Sequence, residues 1–451
     1  MKKVMFLLLG LALMLPGTIR AHNDDQRDHD DQRDHDRDRD ERGGRGNEHH
    51  DHNVRTPVRL VGVIPVPGNP VTSADISWTD PATERYYFAD RSNFGVDIID
   101  AEDDVFVGRV TGMVGTTLAN NGGTKTTNGP GPNGVLVTPQ RVLWAGDGNS
   151  TVRIADVDPN SLNYLNIIGS VSTAIADCDG GTDTTHYCGR ADELGFDPRH
   201  KLILIANNAP LNVNAPHAAI APYATFISAV PPYSVLSHIS FPNAGGLEQP
   251  LWDAEIGRFL LTVPGKIVTG PVGPPVVNQP SVAVINPTTR TVEKAYELNC
   301  QTLFGPTNTS VGTTGIALGP FQHLLVSACG FPVILSALTG NVINVIKDIG
   351  GGDEVWHNPG DGRFFVTGAD QKAAPPVQSL GVIDAQTSTL LQAVRDVRGK
   401  NAAAFAENNH IFTIVQINAA IVAAPATDDS TCAQFGFRGT GCVAIFEHAE
   451  K

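Results

Sequence analysis

The hydrophobic and polar positions of this chain fall into one recurring pattern. Near residue 353 two acids, Asp353 and Glu354, lead into Val355-Trp356-His357. A Pro/Gly/Asp turn follows, then a second apolar run, Arg363-Phe364-Phe365-Val366-Thr367. Two short apolar runs joined by a tight turn predict an antiparallel strand pair. The pattern returns at Asp75-Ile76-Ser77-Trp78 with Arg85-Tyr86-Tyr87-Phe88, at Asp192-Glu193-Leu194-Gly195-Phe196 with Leu202-Ile203-Leu204-Ile205, and at Glu248-Gln249-Pro250-Leu251-Trp252 with Arg258-Phe259-Leu260-Leu261. Weaker copies start at Asn133, Thr314 and Asn401. Seven units of about 40–60 residues predict an all-β, seven-bladed β-propeller over residues 55–451.

Third strands carry their own signature. Val96-Asp97-Ile98-Ile99-Asp100, Val152-Arg153-Ile154-Ala155-Asp156, Val282-Ala283-Val284-Ile285-Asn286 and Gly381-Val382-Ile383-Asp384 each end in Asp or Asn before a turn. In unit three the best match is Ala224-Thr225-Phe226-Ile227. Residues 58–66 read as an outer strand with no unit of its own. Residues 441–446 read as a third strand lacking an outer partner. Pairing the two closes the ring and hides both edges. These signatures resemble the YVTN-type bacterial propellers, a likeness that implies the fold and leaves the activity open.

Residues 1–21 change the compartment. Lys2 and Lys3, an apolar core over 4–15 and a small residue at Ala21 predict a secretory signal peptide. No later segment has spanning length, so the mature chain is expected to be periplasmic or secreted, without a transmembrane segment. Export makes the six cysteines disulfide candidates, with fifteen pairings possible. Local spacing favours Cys178–Cys188 and Cys432–Cys442, which leaves Cys300 with Cys329.

Residues 22–54 hold no aliphatic or aromatic side chain before Val54, but twelve acids and six arginines between 22 and 53. Such a segment cannot offset its ordering entropy and is expected to be disordered. Its histidines His29, His35, His49, His50 and His52 are candidate ligands for a metal-sequestering tail. The net charge of −15 disfavours nucleic acid as a partner.

Candidate chemistry sits at the start of the inner strands. Counting back six positions from each turn gives Asp75, Asn133, Asp192, Glu248, Thr314 and Asp353, with Asn401 in the seventh unit. Oxygen donors around one axis suit Ca²⁺ or another divalent cation. The bland alternative is that they cap turns and tie neighbouring blades together. Three segments resemble the gluconolactonase/regucalcin-like propellers: Glu248-Gln249-Pro250-Leu251-Trp252-Asp253, Pro132-Asn133-Gly134-Val135, and the stretch at Asp353. That resemblance implies Glu248, Asn133 and Asp353 as metal ligands, and Asp353 or a metal-bound water as the base of a lactone hydrolysis. Their chain order here, Asn then Glu then Asp, departs from the family's. Trp78, Trp252 and Trp356 are expected at one level, as packing between blades. The sequence therefore supports an exported, monomeric binding or scaffold propeller. It would offer a loop face and an acidic channel mouth to a protein, glycan or small molecule. A metal-dependent hydrolase is the alternative reading.

Overall fold

The computed structural model describes residues 57–448, apart from 116–130, 149, 176–189, 209–220 and 270–274. The signal peptide, the His/Asp tail and the Cys178–Cys188 pair lie outside the described residues. Arg55–Lys451 form one compact unit. Seven four-stranded antiparallel sheets surround a common axis. Their inner strands are Ala74–Asp80, Pro132–Thr138, Arg190–Asp197, Pro250–Asp253, Thr313–Leu318, Val355–Asn358 and Gly399–Ala404, which define blades one to seven. The third strand of blade three is Tyr223–Ser228, where the apolar run placed it.

Burial explains the strand patterns. Second and third strands are covered on both faces, so they read as continuous apolar runs: Arg85–Asp90 and Leu202–Asn208 are buried almost throughout. Outer strands face solvent on one side and alternate, as in Val235–Ser240. The core lies between neighbouring blades. Tyr86 and Phe88 of blade one pack on Phe412 and Ile414 of blade seven, and Val282 and Val284 of blade four pack on Leu324 and Val326 of blade five. Where blades two and three meet, a Cβ on Gly134 would lie 2.1 Å from the Asp192 carbonyl oxygen, so only glycine fits.

The terminal acids of the strands are turn caps. Asp197 accepts from the backbone N–H groups of Arg199 and His200, and Asp253 from those of Glu255 and Ile256. At the ends of third strands, Asp100 and Asn286 do the same. These short Asx turns all lie on one face of the ring. The opposite face receives the connections between second and third strands and those between blades. Of the six long segments of the sequence, 300–313 and 423–441 are described throughout, and both belong to that loop face.

The ring closes as the sequence predicted. Val58–Pro65 pairs antiparallel with Cys442–His448 and becomes the outer strand of blade seven. Val58 and Ile64 are buried there. Among the described residues, two disulfides tie the loop face: Cys300–Cys329 holds the segment entering blade five to the end of its second strand, and Cys432–Cys442 anchors the helical insertion of blade seven. No helix among the described residues is long and apolar enough to cross a membrane.

Closure makes a prediction. A chain beginning at Val66 loses the burial of Val58 and Ile64 and bares the edge of Cys442–His448. It should lose at least about 3 kcal/mol in urea unfolding relative to a chain beginning at Arg55. Equal unfolding midpoints would show that this strand is dispensable.

Candidate functional site

The channel is built by a local irregularity that recurs. In blades one, two, three, five and seven the inner strand slips register against the second strand, at 74–77, 132–135, 191–194, 313–316 and 399–402. Each slip is a bulge of one extra residue, two inner-strand residues standing opposite one on the second strand, and a bulge re-aims side chains. In blades four and six the corresponding residues come just before the strand. The first bulge residue of each blade forms a ring: Asp75, Asn133, Asp192, Glu248, Thr314, Asp353 and Lys400. The seventh position is therefore Lys400 and not Asn401, because Gly399 pairs with Val415 as Ala74 pairs with Asp90. Without a turn proline, nothing in the seventh unit marked that register.

Lys400 changes the electrostatics. Its ammonium contacts Asp75 at 2.7 Å and Asp353 at 2.9 Å, its two acidic neighbours around the ring. Arg91, from the turn after the second strand of blade one, pairs with Asp75 and donates to Asn133 Oδ1 at 2.6 Å. Arg190, at the start of the blade-three inner strand, holds Asp192 at 2.6 Å. The sequence showed neither arginine's role. Each lies far along the chain from most of the groups it faces.

The other ring groups tie blades together. Asn133 Nδ2 donates to the Ala191 carbonyl at 2.9 Å, Thr314 Oγ1 to the Gly352 carbonyl at 2.6 Å, and Asn401 Nδ2 to the Asp75 carbonyl at 2.6 Å. Thr262 Oγ1 reaches the Thr314 carbonyl at 2.6 Å. These bonds satisfy carbonyls that the bulges free from the strand ladders.

A second tier contains Glu193 and Glu354, only 3% and 0% exposed. Glu354 Oε2 accepts from the N–H and hydroxyl of Ser77 at 2.9 and 2.8 Å, reaching past the small Ala402-Ala403 of blade seven. Its Oε1 makes no hydrogen bond, and neither does Oε2 of Glu193. Burial, with neighbouring Glu248 and Asp192 adding to it, pushes the Glu193 carboxyl well above the usual range. Burial and Asp192 do the same to Glu248, against the pull of Arg190. Burial outweighs the Ser77 hydrogen bonds at Glu354. At Asp75 burial acts upward, but Arg91 and Lys400 together hold the carboxyl below its ordinary value. Lys400 is raised, because Asp75 and Asp353 outweigh the burial that would lower it. Three aspartates thus face three cations, while burial opposes ionisation of the three glutamic acids; burial also raises the Asp192 carboxyl, against the pull of Arg190.

Among the described residues, no three His, Cys, Asp or Glu side chains converge in a way that would hold a metal ion. The structure brings Asp75, Asn133, Asp192, Glu248 and Asp353 to one level, and engages all but Glu248 with Lys400, Arg91, Arg190 or backbone groups, while Glu248 Oε1 accepts from Asn208 Nδ2 at 3.5 Å. The tail ligands His29, His35, His49, His50 and His52 lie outside the described residues.

Toward the turn face the channel becomes an apolar funnel of about 470 Å³. Trp78 and Trp356 meet edge to face at 5.4 Å on one wall. Trp252 stands on blade four across the axis, braced on Phe259 at 5.1 Å. Leu194, Phe196, Leu251 and Ile316 add to the apolar lining, Asp80 is the one carboxylate in it, and Pro139 and Pro198 mark the rim. Trp78 and Trp356 share a register, two residues before Asp80 and Asn358, whereas Trp252 is one residue further along its strand. Gln249 closes the inner end, with its Oε1 fixed by the Ile316 N–H at 2.7 Å. His357 also lines the funnel; burial lowers its pKa, opposed by Asp361.

Comparison with known proteins reaches the fold alone. No family model matches the chain, and no curated protein matches it. Solved structures do match. A chain of a mitotic checkpoint complex aligns at TM-score 0.51 with 10% identity, covering 80% of this chain and 90% of that one. The β-propeller domain of Cps50 (Swd1) from Myceliophteria thermophila aligns at TM-score 0.50 with 9% identity, covering 87% and 100%. At such identities the likeness establishes a seven-bladed propeller and no activity.

The protonated glutamates set a pH dependence. Each has a native pKa above the ordinary glutamate value of 4.5, so the folded state holds protons that the unfolded chain releases. That stabilisation is complete below 4.5 and is lost as pH rises through the native values. The melting temperature should therefore decline as pH rises above about 4.5, and Glu193→Gln should flatten the decline. A variant with the wild-type slope would place the titration elsewhere.

Proposed function

We propose that the protein is an exported, ligand-binding propeller that takes a small molecule in the tryptophan funnel of its channel. The observation that carries this reading is the funnel itself: an open cavity of about 470 Å³ lined by indole and aliphatic side chains. Open apolar walls are poorly hydrated and gain by covering. Cavities of about 300–1,000 Å³ with mostly apolar walls and few polar groups suit small-molecule ligands. Two features support rigidity. The funnel stands on strands, and side-chain hydrogen bonds lock those strands to their neighbours. A preformed site loses less entropy on binding. Export is supported by the two disulfides and by the signal-like first 21 residues.

The reading moves the expected site. The acidic mouth on the loop face is closed electrostatically by its own lysine and arginines, and the free binding surface lies at the opposite end. A divalent cation at the ring, as in the lactone-hydrolase reading, would have to displace Lys400 from Asp353 and compete with Arg190 for Asp192. Both exchanges break short ion pairs in a poorly solvated site.

The test is a screen of small apolar and aromatic compounds by tryptophan fluorescence and calorimetry. Saturable one-to-one binding is expected, weakened at least tenfold by Trp252→Ala. Trp252 is half-buried, so the variant should remain folded. Ligands whose affinity ignores Trp252→Ala and Leu251→Arg would place the binding site outside the funnel.

A further inference from the structure

We infer that the funnel selects a small organic cation: a primary ammonium on an apolar, ring-bearing body, with the ammonium among Glu193, Glu248 and Glu354 and the body against Trp78, Trp252 and Trp356. This rests on the funnel being the ligand site and adds the class of ligand. Three observations meet here.

The first is position. Glu193 directly precedes Leu194, Glu354 directly precedes Val355, and Glu248 directly precedes Gln249, and each of those followers lines the funnel. One residue along a strand is about 3.3 Å, so glutamates of blades three, four and six directly adjoin the funnel lining without themselves forming it. The second is charge. Six carboxyls surround the axis, from Asp75, Asp192, Glu193, Glu248, Asp353 and Glu354. The aspartates have Arg91, Arg190 and Lys400 as counter-cations within ion-pair distance, and among the described residues no glutamate of the three has one. The third is hydrogen bonding. Glu193 Oε2 and Glu354 Oε1 are buried acceptors without a donor. A buried polar atom left unpaired is costly. An ammonium brings three donors and a positive charge, and the indoles favour a cation beside them.

Charge balance follows. As the ammonium arrives, one glutamic acid becomes a carboxylate and its proton passes to solvent, so the site stays neutral. Asp192, Asp353, Asp75, Arg190, Arg91 and Lys400 face the same space and remain paired. Gln249, at the boundary, has its Oε1 engaged by the Ile316 N–H, which fixes the plane of its amide.

Three probes of similar shape separate the outcomes: 2-phenylethylammonium, 2-phenylethanol and 3-phenylpropionate. The cation should bind at least tenfold tighter than the alcohol, and the carboxylate weakest of all. Calorimetry in buffers of different ionisation enthalpy should show release of about one proton per ammonium bound and none for the alcohol. Glu193→Gln should reduce the preference for the cation and leave the alcohol's affinity unchanged. The probe comparison on the unaltered protein decides the matter even if that variant does not fold. Equal binding of cation and alcohol, or preference for the carboxylate, would overturn the inference and leave the funnel reading intact. No binding of any probe, together with a failed compound screen, would remove both.

Discussion

Seven inner strands converge on one axis, and the polar groups they bring there have little water to bind. That constraint shapes the centre of the molecule. The bulges at 74–77, 132–135, 191–194, 313–316 and 399–402 turn backbone and side chains toward the axis, and each freed group has to be answered by a neighbouring blade. Asn133, Thr262, Thr314 and Asn401 answer carbonyls, while Arg91, Arg190 and Lys400 answer carboxylates. A ring of acids without those cations would repel itself apart; with them it fastens blades one, six and seven at the junction where the chain closes on itself. Lys400 spans that junction, since its partners Asp75 and Asp353 flank blade seven on either side.

The closed ring divides the channel into two halves of different character. On the loop face, charges neutralise one another and leave little unmatched. On the turn face, tryptophans and aliphatics line a rigid open funnel. The three glutamic acids stand near the boundary, where burial, with neighbouring carboxylates adding to it, opposes their ionisation. Stability and binding therefore draw on the same groups. The arrangement that holds the blades also leaves buried carboxyls without partners beside an apolar cavity.

Much of the architecture was legible in the sequence. The acid, apolar run, turn and apolar run of each unit follow from strands buried on both faces and joined by Asx turns, so the seven units and the third strand of blade three could be located. The orphan strand at 58–66 and the outer edge lacking at 441–446 implied the closure that the pairing of Val58 with His448 shows. The ring column was legible in six of its seven members. Lys400 was not, because an inner bulge shifts register without leaving a mark when the turn has no proline. Its partnership with Asp75 joins residues 325 positions apart, a separation at which local pattern carries no information. The tryptophans were visible as residues, but whether they pack between blades or line a cavity depends on the bulk of the neighbours. Ala402 and Ala403 let Trp78 and Trp356 meet across blade seven, and short side chains in one strand do not announce what their neighbours do.

The central claim is that burial without a counter-cation pushes the axial glutamates toward the protonated form, whereas Arg91, Arg190 and Lys400 pair with the axial aspartates. Isotope-edited infrared spectroscopy, with label in the glutamate carboxyls, measures this directly at neutral pH. The account predicts a carboxylic-acid carbonyl band from buried glutamate alongside the carboxylate bands of surface glutamates, and a weaker acid band in Glu193→Gln. Glutamate signal confined to the carboxylate region would contradict it, and would mean that the axis carries unbalanced negative charge.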